Sequence, residues 1–224
     1  YSLAENYYSG YIESAKNNWN LISAKKKAYM NYRKLIACIN KYLDTTQIKQ
    51  CADRYDTIEY KNVTSITMMK QKKAFLNIEL KTGNIRSNKV NRIQGSIHFN
   101  RYLDDIKNNN KTINGKRVGI VDFVKNALKL KTLGNDEEYI LNSQWNNLLT
   151  TLGKINNFVA MCDTSSSMQG DPLMASIGLG IAIAEQSVLG KRVLTFNSTP
   201  EWINLEDTDT FTKILDSVRF KDPK

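Results

Sequence analysis

The chain has 224 residues, 41% of them hydrophobic, and its 32 Lys and Arg against 22 Asp and Glu leave a net charge of +10. That length holds one large domain or two modest ones, and no apolar run approaches the ~18 residues of a membrane span. One histidine, His98, and three cysteines without a Cys-x-x-Cys pair argue against a histidine-based triad, a zinc cluster and a disulfide framework.

The cysteines fit a reducing, intracellular compartment. The chain starts at Tyr1 rather than Met and reads as a piece of something longer. Charge is uneven. Residues 157–224 carry 6 Lys and Arg and 9 Asp and Glu, so the first 156 hold 26 basic and 13 acidic side chains. A basic segment joined to a mildly acidic one suits a polyanion binder with a separate module. A solvated Lys-rich helical surface accounts for the same numbers.

Residues 1–43 read as helical, with Trp19, Ile22, Lys26, Tyr29, Met30 and Arg33 near helical spacing. A short helix is expected at 47–55 and an extended piece at Ile58-Glu59-Tyr60. Thr64 or Ser65 caps a helix running through Leu76. Gly83-Asn84 and Gly95-Ser96 are read as breaks, followed by a helix at 97–107 and a polar loop at 108–115. Helices follow at 118–130 and around Trp145 to Leu152, the latter closed by Gly153. This run of short helices allows a helical-repeat solenoid.

After Asn157 the pattern changes. Phe158–Cys162 is a buried strand, and Pro172 opens a helix rich in small residues (Ser176, Gly178, Gly180, Ala182) suited to close contact with a sheet. Strands at 191–196 and 201–205 flank the turn Asn197-Ser198-Thr199-Pro200, and a helix follows at 208–220, capped by Asp207 or Thr208. The order is β-α-β-β-α.

The chemistry-bearing feature is Asp163-x-Ser165-x-Ser167 at the end of the first strand. Three short oxygen-bearing side chains on one turn suit a small hard cation that keeps several waters. Open α/β sheets also bind ligands outside the carboxyl ends of their strands. A polar turn whose hydroxyls only cap the next helix is the plain alternative. Gly178-x-Gly180 lacks the third glycine of a dinucleotide loop, and no phosphate loop or Gly-x-Ser-x-Gly elbow is present.

Asp-x-Ser-x-Ser after a first strand resembles the metal-ion-dependent adhesion site (MIDAS) of von Willebrand factor A domains. That resemblance implies Mg²⁺ or Mn²⁺ on the Ser165 and Ser167 hydroxyls, with Asp163 holding the ion through water. A threonine and another aspartate from later loops complete the family's site, and those loops lie beyond Lys224. Ser166 stands where the family most often has glycine, which implies strain if the turn needs φ > 0.

The segments Ile58-Glu59-Tyr60-Lys61-Asn62-Val63-Thr64-Ser65, Lys72-Lys73-Ala74-Phe75-Leu76, Asn142-Ser143-Gln144-Trp145-Asn146-Asn147-Leu148 and Gly190-Lys191-Arg192-Val193-Leu194-Thr195-Phe196-Asn197 together resemble the DUF2828 family of plants, fungi and giant viruses. The likeness covers the chain from about Tyr32 onward. More distantly, the chain is similar to the Ro autoantigen group, in which a helical-repeat ring binds RNA and a von Willebrand A domain closes it.

The expected architecture is therefore a basic α-helical domain over 1–156, then the N-terminal half of a von Willebrand A-type, Rossmann-like α/β domain over 157–224. The expected function is non-enzymatic binding, with Mg²⁺ or Mn²⁺ as cofactor and an acidic ligand supplied by a protein partner. Structured RNA is the second expected partner, in the cytoplasm or in a giant-virus factory or virion. Candidate phosphate contacts are Arg33, Lys34, Lys61, Lys70, Lys72, Lys73, Arg86, Lys89, Arg92 and Arg101, with Tyr60, Phe99 and Tyr102 as stacking platforms. A protein–protein scaffold or virion structural protein is the competing class. A metal-dependent hydrolase needs a general base beside the ion, and neither Asp171 nor Glu185 has a defensible arrangement.

Overall fold

The computed structural model describes residues 1–15, 17–129 and 135–219. The described chain is mostly helical, with a small three-stranded mixed sheet near its C-terminal end. It divides between Ile58 and Glu59 into two compact units.

The first unit is helical: α1 (Ser2–Tyr7), α2 (Ser9–Glu13), α3 (Asn18–Tyr42) and α4 (Thr46–Cys51). Asn17 caps α3, its side-chain oxygen accepting the Asn20 N–H at 2.8 Å. Both short helices lie against α3. The Tyr29 hydroxyl donates to the Glu5 carboxylate, and Lys25 pairs with Glu5 at 3.4 Å. Beyond α3, Asp44 takes a left-handed φ of 43° and receives Arg54 at 2.5 Å.

Of the extended piece expected at Ile58-Glu59-Tyr60, Ile58 and Glu59 are extended, and a single 3₁₀ turn takes over at Tyr60–Asn62. Tyr60 is drawn inward, because its ring packs on Phe75 and Phe99 and its hydroxyl donates to the Gly95 carbonyl at 2.9 Å. The helices that follow are α5 (Ser65–Phe75), α6 (Val90–Asn108), α7 (Ile120–Lys129) and α8 (Asn135–Leu152). Thr64 caps α5 as expected. Gly95 does not break the chain. It lies buried inside α6, on the face that also carries Phe99, Leu103 and Ile106. Leu130, expected to end α7, lies outside the described residues.

The sheet orders its strands β1 (Ala160–Asp163), β2 (Arg192–Phe196) and β3 (Glu201–Asn204). β1 runs parallel to β2 with Asp163 opposite Phe196, and β3 returns antiparallel. The connection from β1 to β2 is α9 (Asp171–Gln186), and α10 (Phe211–Arg219) follows the hairpin. The β-α-β-β-α order read from the sequence is the order found.

One core joins helices and sheet across residue 156. Phe123, Leu141 and Trp145 share it with Cys162, Ile181, Val193, Leu205 and Phe211. Trp145 stacks on Phe211 with centroids 4.0 Å apart, and its indole N–H donates to Glu185 at 2.6 Å. The polar residues of α8 brace the loops around it. Gln144 Nε2 donates to the carbonyls of Ser65 and Asn114, Ser143 accepts the Ile113 N–H, and Asn142 holds Thr212 at the start of α10. Small residues on α9 permit close contact. A Cβ built on Gly178 would meet Ile120 at 2.4 Å.

Candidate metal-binding loop

Asp163 is the last residue of β1, and its partly buried carboxylate points back over its own loop. Oδ1 accepts the Ser165 N–H at 3.0 Å. A hydrogen bond from the Ser165 hydroxyl, then the backbone bond, hold the Asp163 carboxyl below its ordinary range. The group is thus an anion at neutral pH.

The two serine hydroxyl oxygens, Ser165 Oγ and Ser167 Oγ, lie 3.0 Å apart. Octahedral Mg²⁺ with oxygens at 2.0–2.1 Å sets neighbouring ligand oxygens about 2.9 Å apart. The hydroxyl pair therefore has the spacing of two adjacent positions on one octahedron. Ser166–Met168 forms a single 3₁₀ turn, and Ser166 has no positive φ. The strain expected from serine in the glycine position is absent, because this turn keeps Ser166 in right-handed backbone. The left-handed step falls at Gly170 (φ 96°), just before α9 and Pro172.

The loop is tied to the β2–β3 hairpin. Thr164 N–H donates to the Phe196 carbonyl at 2.9 Å, and Asn197 Nδ2 donates to Thr164 Oγ1 at 3.2 Å. Thr164, Ser165, Ser166, Gln169, Asn197 and Ser198 line a cleft of about 500 Å³. Among the described residues, no three or more His, Cys, Asp or Glu side chains gather into a cluster able to hold a metal. What this loop offers is one carboxylate and two hydroxyls, a set that leaves positions for water or a ligand. Neither acid weighed as a base is at hand. Asp171 is paired with Lys125 at 2.6 Å, and Glu185 holds the Trp145 indole.

The basic candidates differ in exposure. Arg33 and Lys34 are exposed on α3 in the first unit, and Lys61, Lys70, Arg86, Lys89 and Arg101 are exposed in the second. Lys72 and Arg92 are buried, at 7% and 6% exposure, which withdraws them from any phosphate-facing surface. Lys73 is half-buried and donates to the Leu80 carbonyl at 2.8 Å. Tyr60 and Phe99 are core rings rather than stacking platforms, and Tyr102 lies partly covered beside them. Spacing carried the signal for the two buried cations. Lys72 shares a face with Met68 and Phe75, and Arg92 with Phe99 and Leu103. Asn197, which the motif reading missed, left no local signal.

Among the described residues no helix is long and apolar enough to cross a membrane. No family model and no solved structure matches the chain. Over 188 residues, 82% of its length, the chain is 28% identical to "Uncharacterized protein L728" of Acanthamoeba polyphaga mimivirus, and the match covers 32% of that relative. The chain thus spans about a third of the relative's length.

Proposed function

We propose that this chain is a non-enzymatic binding module of DUF2828 type in which residues 157–224 begin a von Willebrand A-like domain. Ser165 and Ser167 hold Mg²⁺ or Mn²⁺ through their hydroxyl oxygens, and Asp163 supplies the negative charge. The observation that carries this reading is the 3.0 Å separation of the two hydroxyl oxygens beside an ionised carboxylate. When bound, the cation supplies a positive centre with open positions for an anionic oxygen. Lys61, Arg86, Lys89 and Arg101 of the second unit add exposed basic side chains that suit structured RNA, and Arg33 and Lys34 of the first unit do so separately. Likeness to a mimivirus protein supports a giant-virus setting, in the cytoplasm, virus factory or virion.

The test is Mn²⁺ titration of the full-length protein, followed by electron paramagnetic resonance. Wild type is expected to bind one ion, with affinity reduced at least tenfold in Ser165→Ala, Ser167→Ala and Asp163→Ala. Equal binding by all four proteins rejects the loop as the site. RNA affinity is then measured with and without Mg²⁺.

A scaffold reading is favoured by one observation. Met161, Leu194 and Trp202 fall in register across the sheet, and Met161 and Trp202 are 66% and 61% exposed on its outer side. An apolar row of this kind suits a protein partner. It predicts no RNA shift at physiological salt and a metal-dependent protein complex.

A further inference from the structure

We infer that Asn197 is a positioning residue for the Ser165–Ser167 hydroxyl pair, coupling occupancy of the loop to the order of the β2–β3 turn. The inference rests on the metal reading above and adds a residue from outside the Asp-x-Ser-x-Ser motif.

Asn197 contacts two places at once. Its Oδ1 accepts the Thr199 N–H at 2.8 Å, and its Nδ2 donates to Thr164 Oγ1 at 3.2 Å. The Thr199 amide is a donor only, so the carboxamide oxygen must face it and the NH₂ must face Thr164. The orientation is therefore fixed by chemistry. Thr164 is held a second time, its N–H donating to the Phe196 carbonyl at 2.9 Å.

Thr164 directly precedes Ser165. Rotation about the bonds between them sets where Ser165 Oγ stands relative to Ser167 Oγ. With Asn197 in place, Thr164 is anchored by both main chain and side chain. Without it, Thr164 keeps the main-chain bond to Phe196 and a longer 3.5 Å bond from its Oγ1 to the same carbonyl, and the hydroxyl pair loses part of its preorganisation. Groups that orient metal ligands without touching the ion typically change affinity 10–100-fold.

Linkage makes the effect reciprocal. If Asn197 steadies the loop for the ion, the ion must steady Asn197 and the turn that it caps. Divalent metal is therefore expected to slow amide exchange at residues 197–199, and at Thr199 above all.

The experiment measures Mn²⁺ affinity and Mg²⁺-dependent amide exchange in the full chain for wild type, Asn197→Ala, Thr164→Val, Thr164→Ser and the Thr164→Val/Asn197→Ala double variant. Asn197→Ala and Thr164→Val are each expected to weaken Mn²⁺ binding roughly tenfold or more. The double variant should lose less than the sum of the two single losses, because the bond between the two side chains is shared while each variant also removes one bond of its own, to Thr199 or to Phe196. Thr164→Ser keeps the hydroxyl and should bind within about twofold of wild type. Slowing of exchange at 197–199 should vanish in Asn197→Ala. Wild-type affinity in Asn197→Ala and Thr164→Val, alongside lost affinity in Ser165→Ala, overturns the positioning role and leaves the metal site standing. Absence of Mn²⁺ binding by wild type removes the metal reading and the role of Asn197 with it.

Discussion

Gly180 on α9 stands so close to Cys162 on β1 that a Cβ built on it would lie 2.0 Å from the cysteine sulfur. This contact brings the helix following the candidate loop down against the strand that precedes it. Gly180→Ala should lower stability by about 1–3 kcal/mol through overpacking. Cys162→Ala removes the opposing sulfur, so the double variant should recover most of that loss. Chemical denaturation of the four proteins checks it, and additive losses would show that the two residues do not share the space.

The same burial governs the thiol. Desolvation pushes Cys162 up to about 11, and its Sγ donates to the Ser176 carbonyl at 3.4 Å. Thiolate is the reactive form, so Cys162 should resist alkylation at pH 8 while exposed Cys38 and Cys51 react. Iodoacetamide labelling read by mass spectrometry should find two modified cysteines in native protein and three after denaturation.

The order β-α-β-β-α was legible because each element carries its own local signal: the apolar run into Asp163, Pro172 at a helix start, and the Asn197–Pro200 turn between two β-rich segments. Thr64 as a cap was legible for the same reason. Gly95 was misread because a glycine's propensity to break helices is weaker than what its missing side chain permits, here the approach of Tyr60. Lys72 and Arg92 were read by charge when their spacing placed them on core faces. The link from Asn197 to Thr164 depends on the register that sets Asp163 opposite Phe196, and no local pattern specifies register between strands so far apart in sequence.

Glu137 and Lys72 make a second site of stored charge. Glu137 is 1% exposed, Lys73 Nζ lies 4.0 Å from its carboxylate, and neither oxygen has a hydrogen-bond partner among the described residues. Desolvation first, against attraction to Lys72 and Lys73, raises Glu137 above its ordinary 4.5. Desolvation first, against attraction to Glu137, lowers Lys72 below 10.5. A raised carboxyl binds its proton more tightly when folded, so its contribution is complete below pH 4.5 and is lost as pH rises through the folded value. A lowered amine sheds its proton more readily when folded, so stability is regained as pH climbs toward 10.5. Lys72→Met should abolish the alkaline gain. Glu137→Gln should flatten the fall above 4.5 but cost roughly 3–5 kcal/mol, because it leaves Lys72 charged and uncompensated. Lys72→Met with Glu137→Leu should recover most of that cost. Denaturation midpoints from pH 4 to 10 check all three.

Burial also sorts the basic side chains into those able to meet RNA and those committed to the fold. Each phosphate neutralised on duplex RNA steepens the fall of log affinity with log salt by about 0.9 by analogy with B-DNA, or ~0.7 for single strands. Lys61, Arg86, Lys89 and Arg101 are exposed, so replacing one that touches phosphate with Ala should weaken binding and reduce the slope by about that amount. Lys72 sits in the core at 7% exposure, and Lys72→Met should leave the slope unchanged in protein shown to be folded. Fluorescence anisotropy with one structured RNA at a series of salt concentrations separates the groups. Equal slopes for all the exposed variants and wild type would assign the positive charge to solubility and leave the scaffold reading in its place.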